Sequence, residues 1–229
     1  MYLDEFVERA GRMVFEYEEP LAYLEGRGFT KEDIKRFGFG FLKVAKIKKE
    51  NSPDYKKLHD ETYGFRSLEN RIIIPLKNIL GRVNGLVARS IKDKKYNLYL
   101  LKEGKDIGAW YGLYEALPHI MQTKKVFVHE GAFNSASFSK VFPNTVSSLT
   151  SFINDQQYEL IRMFADLIIL VYDDDEAGQI GVATLKKRYG KYIETVSLGY
   201  EDANSCLQKR GPAGFESYLK SKIPFLLQH

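Results

Sequence analysis

Cysteine is nearly absent: Cys206 is the single one in 229 residues. That excludes an internal disulfide framework, a zinc ribbon and CxxC redox chemistry, so no zinc is expected in this chain. No apolar run approaches the about 18 residues of a membrane span, and Met1–Glu5 lacks the basic-then-apolar pattern of a signal peptide. A soluble, cytoplasmic protein with no membrane partner is therefore expected. There is no GxxxxGK[ST] phosphate loop, and Gly38-Phe39-Gly40 lacks the third glycine of a dinucleotide fingerprint. The four histidines are scattered, and His129-Glu130 opens no zinc-protease motif because Phe133 stands where the second histidine would be. Charge of one sign is lacking too. Against 34 basic residues stand 30 acidic ones, and the resulting +4 is too small for a purely electrostatic coat on nucleic acid.

What is present is a core-forming 44% of apolar residues, patterned in two different ways. Leu3, Phe6, Ala10, Met13 and Tyr17 recur at helical spacing over residues 4–18, and a short helix over Pro20–Glu25 follows. Thr30 with Asp33 makes an N-terminal capping signal, and Gly38 a stop. Lys43, Lys46, Lys48, Lys49, Lys56 and Lys57 then crowd a polar loop. Strands are predicted over Arg71–Pro75 and Val83–Arg89 around a turn at Asn78–Arg82, with a third over Tyr96–Leu101.

Beyond Met121 short apolar strands alternate with helices. Strands are predicted at Val126–Val128, Thr145–Val146, Leu167–Tyr172 and Thr195–Leu198, and helices at Asn134–Lys140, Asp155–Phe164 and Ala177–Tyr189. This alternation means βαβ units and a parallel sheet. The fold class is thus α/β: an α+β subdomain over residues 1–120, a parallel-sheet domain over 121–212, and a short helical tail over 213–229. The boundary is placed at 118–124.

Ligands bind at the carboxyl ends of parallel strands, and here those ends are acidic. One strand runs into Glu130-Gly131, the next into Asp173-Asp174-Asp175-Glu176, and the last into Glu201-Asp202-Ala203-Asn204. Each acid taken alone also fits the start of the following helix, where the dipole favours it. Their coincidence along one edge points to a divalent cation, because clustered carboxylates repel unless a cation neutralises them. Oxygen-only ligands suit Mg²⁺ or Mn²⁺.

These residues resemble the Toprim domain shared by primases, topoisomerases and some nucleases. Upstream, Tyr23–Gly28, Ile34–Gly40, Arg71–Pro75, Gly81–Gly85 with Arg89, Lys95-Tyr96 and Tyr111–Ala116 are similar to bacterial-type (DnaG-type) primases, collinearly from about Pro20 to Phe215. The resemblance implies a Rossmann-like Toprim sheet. It makes Glu130 a general acid–base, gives Asp173 and Asp175 catalytic roles beside it, and makes Glu130, Asp173, Asp175 and Asp202 together the holders of the metal. Asn134 and Asn204 stand where family members often carry Asp, and are further candidate ligands. Asn134, predicted where its helix begins, either caps that helix or faces the cation. The resemblance also makes Arg71, Arg82, Arg89, Lys94, Lys95 and Lys105 candidates for holding template and nucleotide.

The activity implied is RNA primer synthesis from NTPs on single-stranded DNA, with Mg²⁺ or Mn²⁺. Expected partners are a replicative helicase and a separate zinc-binding module, which full-length relatives carry in one chain. The setting is the bacterial cytoplasm, or a host's if the protein is phage-encoded. Two other readings stay open: a Toprim nuclease using the same acids, and a non-catalytic nucleic-acid-binding subunit of a replisome.

Overall fold

Leu3, Phe6 and Ala10 share one face of the first helix, and that face is the seed of the N-terminal core. The computed structural model describes residues 2–43, 62–63, 68, 70–93, 96–101, 109–199 and 202–223. Within them the chain divides into two compact units, at Ala109–Trp110.

The first unit contains α1 (Tyr2–Met13), α2 (Glu18–Glu25), α3 (Lys31–Phe37), β1 (Gly40–Leu42), β2 (Thr62–Tyr63), β3 (Arg71–Lys77), β4 (Val83–Ser90) and β5 (Tyr96–Leu101). Its antiparallel sheet has the order β1-β3-β4-β5-β2. The expected strand pair is there, with Ile73 opposite Ala88 and Pro75 opposite Leu86. So is the third strand, while β1 and β2 are short pairings that the sequence reading did not place. α1 lies directly on β1. A Cβ at Gly40 would stand 2.7 Å from the Ala10 backbone, so only glycine allows this approach. The Asp4 side chain also accepts from the Val83 N–H at 3.0 Å, tying α1 to β4. The Thr30–Asp33 capping box forms reciprocally, and Gly38 closes α3 in the left-handed region at φ 67°.

The second unit contains α4 (Leu113–Thr123), β6 (Lys125–His129), α5 (Ala132–Phe138), β7 (Thr145–Ser147), α6 (Asp155–Arg162), β8 (Leu167–Leu170), α7 (Glu176–Tyr189), β9 (Ile193–Thr195) and α8 (Ala203–Lys222). The sheet is wholly parallel, in the order β7-β6-β8-β9. Alternate residues serve two cores. Val126, Val128, Ile168 and Leu170 pack with Leu113, Ile120, Ile161 and Leu185, while Phe127, Ile169 and Val171 pack with Phe138, Leu207 and Phe215. A sheet covered on both faces explains why its strands read as continuous apolar runs.

Four expectations need correcting. The boundary falls before 118–124, because Trp110, Leu113, Ala116 and Ile120 belong to the second core. The helix carrying the last three, α4, was not foreseen; Pro118 inside it masks the pattern. Residues 213–223 are part of the second unit rather than a separate tail, since α8 runs through them to Lys222 past a break at Gly211, and Phe215, Leu219 and Ile223 are buried in its core. The last strand is Ile193–Thr195 rather than Thr195–Leu198. As an edge strand it can pair only with β8, whose ladder begins opposite Ile193; Val196 adds one bond to the Leu170 carbonyl, and Leu198 is buried without pairing.

Candidate active site

β6 lies between β7 and β8, and the chain leaves it on one face and β8 on the other. α5 joins the core with Phe127, whereas α7 joins the core with Val128. The carboxyl ends of β6 and β8 therefore form the topological switch point, the place where open parallel sheets bind ligands. Glu130 follows β6 directly and Asp173 follows the extended end of β8. The Asp173 N–H donates to Glu130 Oε1 at 3.3 Å. Ser147 at the end of β7 donates its hydroxyl to the Glu130 carbonyl at 3.0 Å, fixing the backbone from the other side.

The first turn of α7 is pressed into this edge. A Cβ at Gly178 would lie 2.1 Å from the Asp173 carbonyl oxygen and 3.0 Å from Glu130 Oε1. Glycine is thus required here for close packing, a role that sequence spacing does not reveal. Beneath Glu130, His129 is fully buried and held neutral, its pKa lowered to about 3 by desolvation against a backbone bond to Val171. Its ring lies 4.7 Å from that of Phe138, so it is a core residue.

Two of these acids hold their protons more tightly than usual. Glu130 is pushed up to about 7, first by burial and then by Asp173, with the Asp173 N–H opposing. Asp173 is pushed up to about 6, by burial and then by Asp202, Asp175 and Asp174. The other acids are partly committed. Asp175 caps α7, accepting from the Gly178 N–H at 2.8 Å, and Asp202 caps α8, accepting from the backbone and hydroxyl of Ser205 at 2.8 Å each. Asp174 turns to the Ser197 hydroxyl at 2.6 Å. The capping reading therefore holds for Asp175 and Asp202, while Glu130 and Asp173 meet at the edge.

Asn134 is not a cap: Gly131 is, and α5 starts two residues earlier than expected. The Asn134 amide instead faces the acids and donates to Asp173 Oδ1 at 3.2 Å. Asn204 turns inward, 1% exposed, donating to Ser137 and accepting from Gln208, so its amide faces protein rather than the edge.

The donor set is oxygen-rich and suits a hard divalent cation. Among the described residues, however, no three acidic, histidine or cysteine side chains converge as a metal-holding group. The arrangement fits an ion held by few protein oxygens and retaining much of its water.

Of the basic candidates, Lys94, Lys95 and Lys105 lie outside the described residues, as do Lys46 to Lys57 of the basic loop. Arg71 and Arg89 are half-buried, and Arg82 is exposed in the Asn78–Arg82 turn. Register separates two of them: Arg71 pairs with Ser90 and Arg89 with Ile72, so adjacent positions send their side chains to opposite faces of the sheet. Among the described residues no helix is long and apolar enough to cross a membrane.

Comparison with known proteins divides the chain similarly. Residues 13–103 match the family model of the DNA primase catalytic core, N-terminal domain, and residues 127–207 match a Toprim-like model. A DNA primase of Buchnera aphidicola is 27% identical over 241 residues, covering 93% of this chain and 41% of the relative. The chain thus spans about two fifths of that protein. The RNA polymerase domain of Mycobacterium tuberculosis primase DnaG superposes with a TM-score of 0.76 at 16% identity, covering 100% of this chain and 93% of that one. A DnaG primase catalytic domain bound to ssDNA gives 0.72 at 21% identity, over 96% of this chain and 79% of that one.

Proposed function

We propose that the chain is a catalytic core of the bacterial-type (DnaG-type) DNA primases, making RNA primers from NTPs on single-stranded DNA. The observation that carries this reading is the meeting of Glu130 and Asp173 at the switch point of the parallel sheet. Glu130, with its proton affinity raised to about 7, is suited to take a proton from a primer 3′-hydroxyl near neutral pH. Asp173, with Asp175 and Asp202 beside it, would hold Mg²⁺ or Mn²⁺. When bound, such an ion neutralises triphosphate charge and polarises the attacking oxygen. Asn134 and Asn204 leave the ligand set in this reading, since their amides bond protein partners.

Phosphoryl transfer depends on positioning more than on covalent help, so basic side chains complete the proposal. Arg71, Arg82, Arg89, Lys94, Lys95 and Lys105 would grip template backbone or phosphates without reading sequence. A relative of the same fold was solved bound to ssDNA, which supports this assignment. The replicative helicase, the separate zinc-binding module and a cytoplasmic setting follow from the family resemblance.

Incubation with single-stranded DNA, labelled NTPs and Mg²⁺ or Mn²⁺ tests the reading. Oligoribonucleotide products support it. Shortened nucleic acid would establish the nuclease instead, and a bandshift with neither product would establish a binding subunit.

A further inference from the structure

Asn134 is the meeting point of two elements that carry the acids. Its amide N–H donates to Asp173 Oδ1 at 3.2 Å, and its side-chain oxygen accepts from the Asn204 backbone N–H, also at 3.2 Å. Asn204 lies in the first turn of α8, whose cap is Asp202. One side chain thus bridges the loop after β8 to the start of α8, and both ends of the bridge carry a carboxylate.

The bridge is itself braced. The buried Asn204 side chain donates to the Ser137 hydroxyl at 2.9 Å, and Gln208 donates to Asn204 Oδ1 at 2.9 Å. Ser137 is on α5, three residues after Asn134, so α5 and α8 are joined by two bonds through Asn204. An amide is the group this position needs. It donates one hydrogen bond to Asp173 and accepts another from a backbone N–H at once, and an ionised carboxylate there would set oxygen against oxygen.

We propose that Asn134 is a positioning residue: it holds the Asp173 carboxylate in register with Asp202 before a cation arrives, acting on the metal through Asp173 and not as a ligand. This rests on the metal-dependent reading above. Groups that orient a metal ligand typically change affinity about 10- to 100-fold when removed.

The full chain, stripped of metal, is titrated with Mn²⁺ and free ion is followed by electron paramagnetic resonance. Asn134→Ala should weaken binding at least about 10-fold. In an Asp173→Ala background the same change should cost nothing further, because its route to the ion is gone. Asn134→Ala binding as wild type does would overturn the proposal alone, as would losses that multiply in the double variant, which mark an independent ligand. Wild type that binds no Mn²⁺ would overturn both the proposal and the metal-dependent reading.

A metal-free readout covers an Asp173→Ala protein that binds too weakly to measure. The ¹⁵N side-chain amide resonance of Asn134, identified by its loss in Asn134→Ala, should shift in Asp173→Ala and stay in place in Asp175→Ala. A resonance unmoved in Asp173→Ala would refute the bridge.

Discussion

Asp173 acts on Glu130 in two opposed ways. Its backbone N–H donates to Glu130 Oε1 at 3.3 Å and favours the charged carboxylate, while its own side chain disfavours that charge. Burial, the largest influence, acts in the same direction as the second effect, and together they prevail: the Glu130 pKa is pushed up to about 7. A carboxyl group in that state can exchange a proton at neutrality, which an ordinary glutamate does poorly.

Glu130→Gln keeps the size of the side chain and removes its titration. Primer synthesis should fall at least about 100-fold, the usual scale for losing a general acid–base, while the far-ultraviolet dichroism stays that of wild type. Incorporation within a few-fold of wild type would remove Glu130 from the chemistry.

Stability should respond to pH with a definite sign. Glu130 moves from 4.5 to about 7 on folding and Asp173 from 3.8 to about 6. Both folded values are raised, so the native state binds more protons than the unfolded one between these limits. Their contribution is complete below about pH 4 and is lost as pH rises through 6 and 7. In chelator, the Tm of wild type should therefore fall relative to that of Glu130→Gln across this window. Added Mn²⁺, which binds the ionised forms, should raise Tm more at pH 7.5 than at pH 5. Parallel Tm curves for the two proteins in chelator would contradict the raised value.

Two glycine-to-alanine changes should have opposite signs. At Gly178 the new methyl meets the Asp173 carbonyl, and overpacking of this kind costs about 1–3 kcal/mol. At Gly11, inside α1 with nothing within 4 Å, alanine should stabilise by about 0.5–1 kcal/mol. Chemical denaturation reads both, and a Gly178→Ala protein as stable as wild type would mean that α7 does not press on the edge.

Among the described residues of the basic set Arg82 is the exposed one, in the turn between β3 and β4. If it meets a phosphate, Arg82→Ala should weaken single-stranded DNA binding and flatten the salt dependence of log K by about 0.7. Tm should not change. An unaltered slope would take Arg82 out of the template-binding set.

Local signals in the chain were enough for a good part of this structure. The Thr30–Asp33 box and the Gly38 stop depend on neighbours within a turn, and both formed as read. The doubly covered strands Val126–Val128 and Leu167–Leu170 show as unbroken apolar runs because each face has a helix on it. Acids placed just after such strands had to arrive at one sheet edge, since parallel strands all point the same way. Helix α4 stayed hidden because Pro118 interrupts its pattern, and only the packing of Leu113, Ala116 and Ile120 on β6 outweighs that interruption.

The sequence by itself thus determined the α/β class, the parallel order of elements and the gathering of Glu130, Asp173, Asp175 and Asp202 at one end of the sheet. Tertiary structure alone decided which way each side chain turns there. It released Asn134 from the helix start to join Asp173, turned Asn204 inward and sent Arg71 and Arg89 to opposite faces. The physical reason is range. Strand and helix patterns are written in spacings of two to four residues, whereas these orientations depend on register and on hydrogen bonds between residues 39 and 70 positions apart.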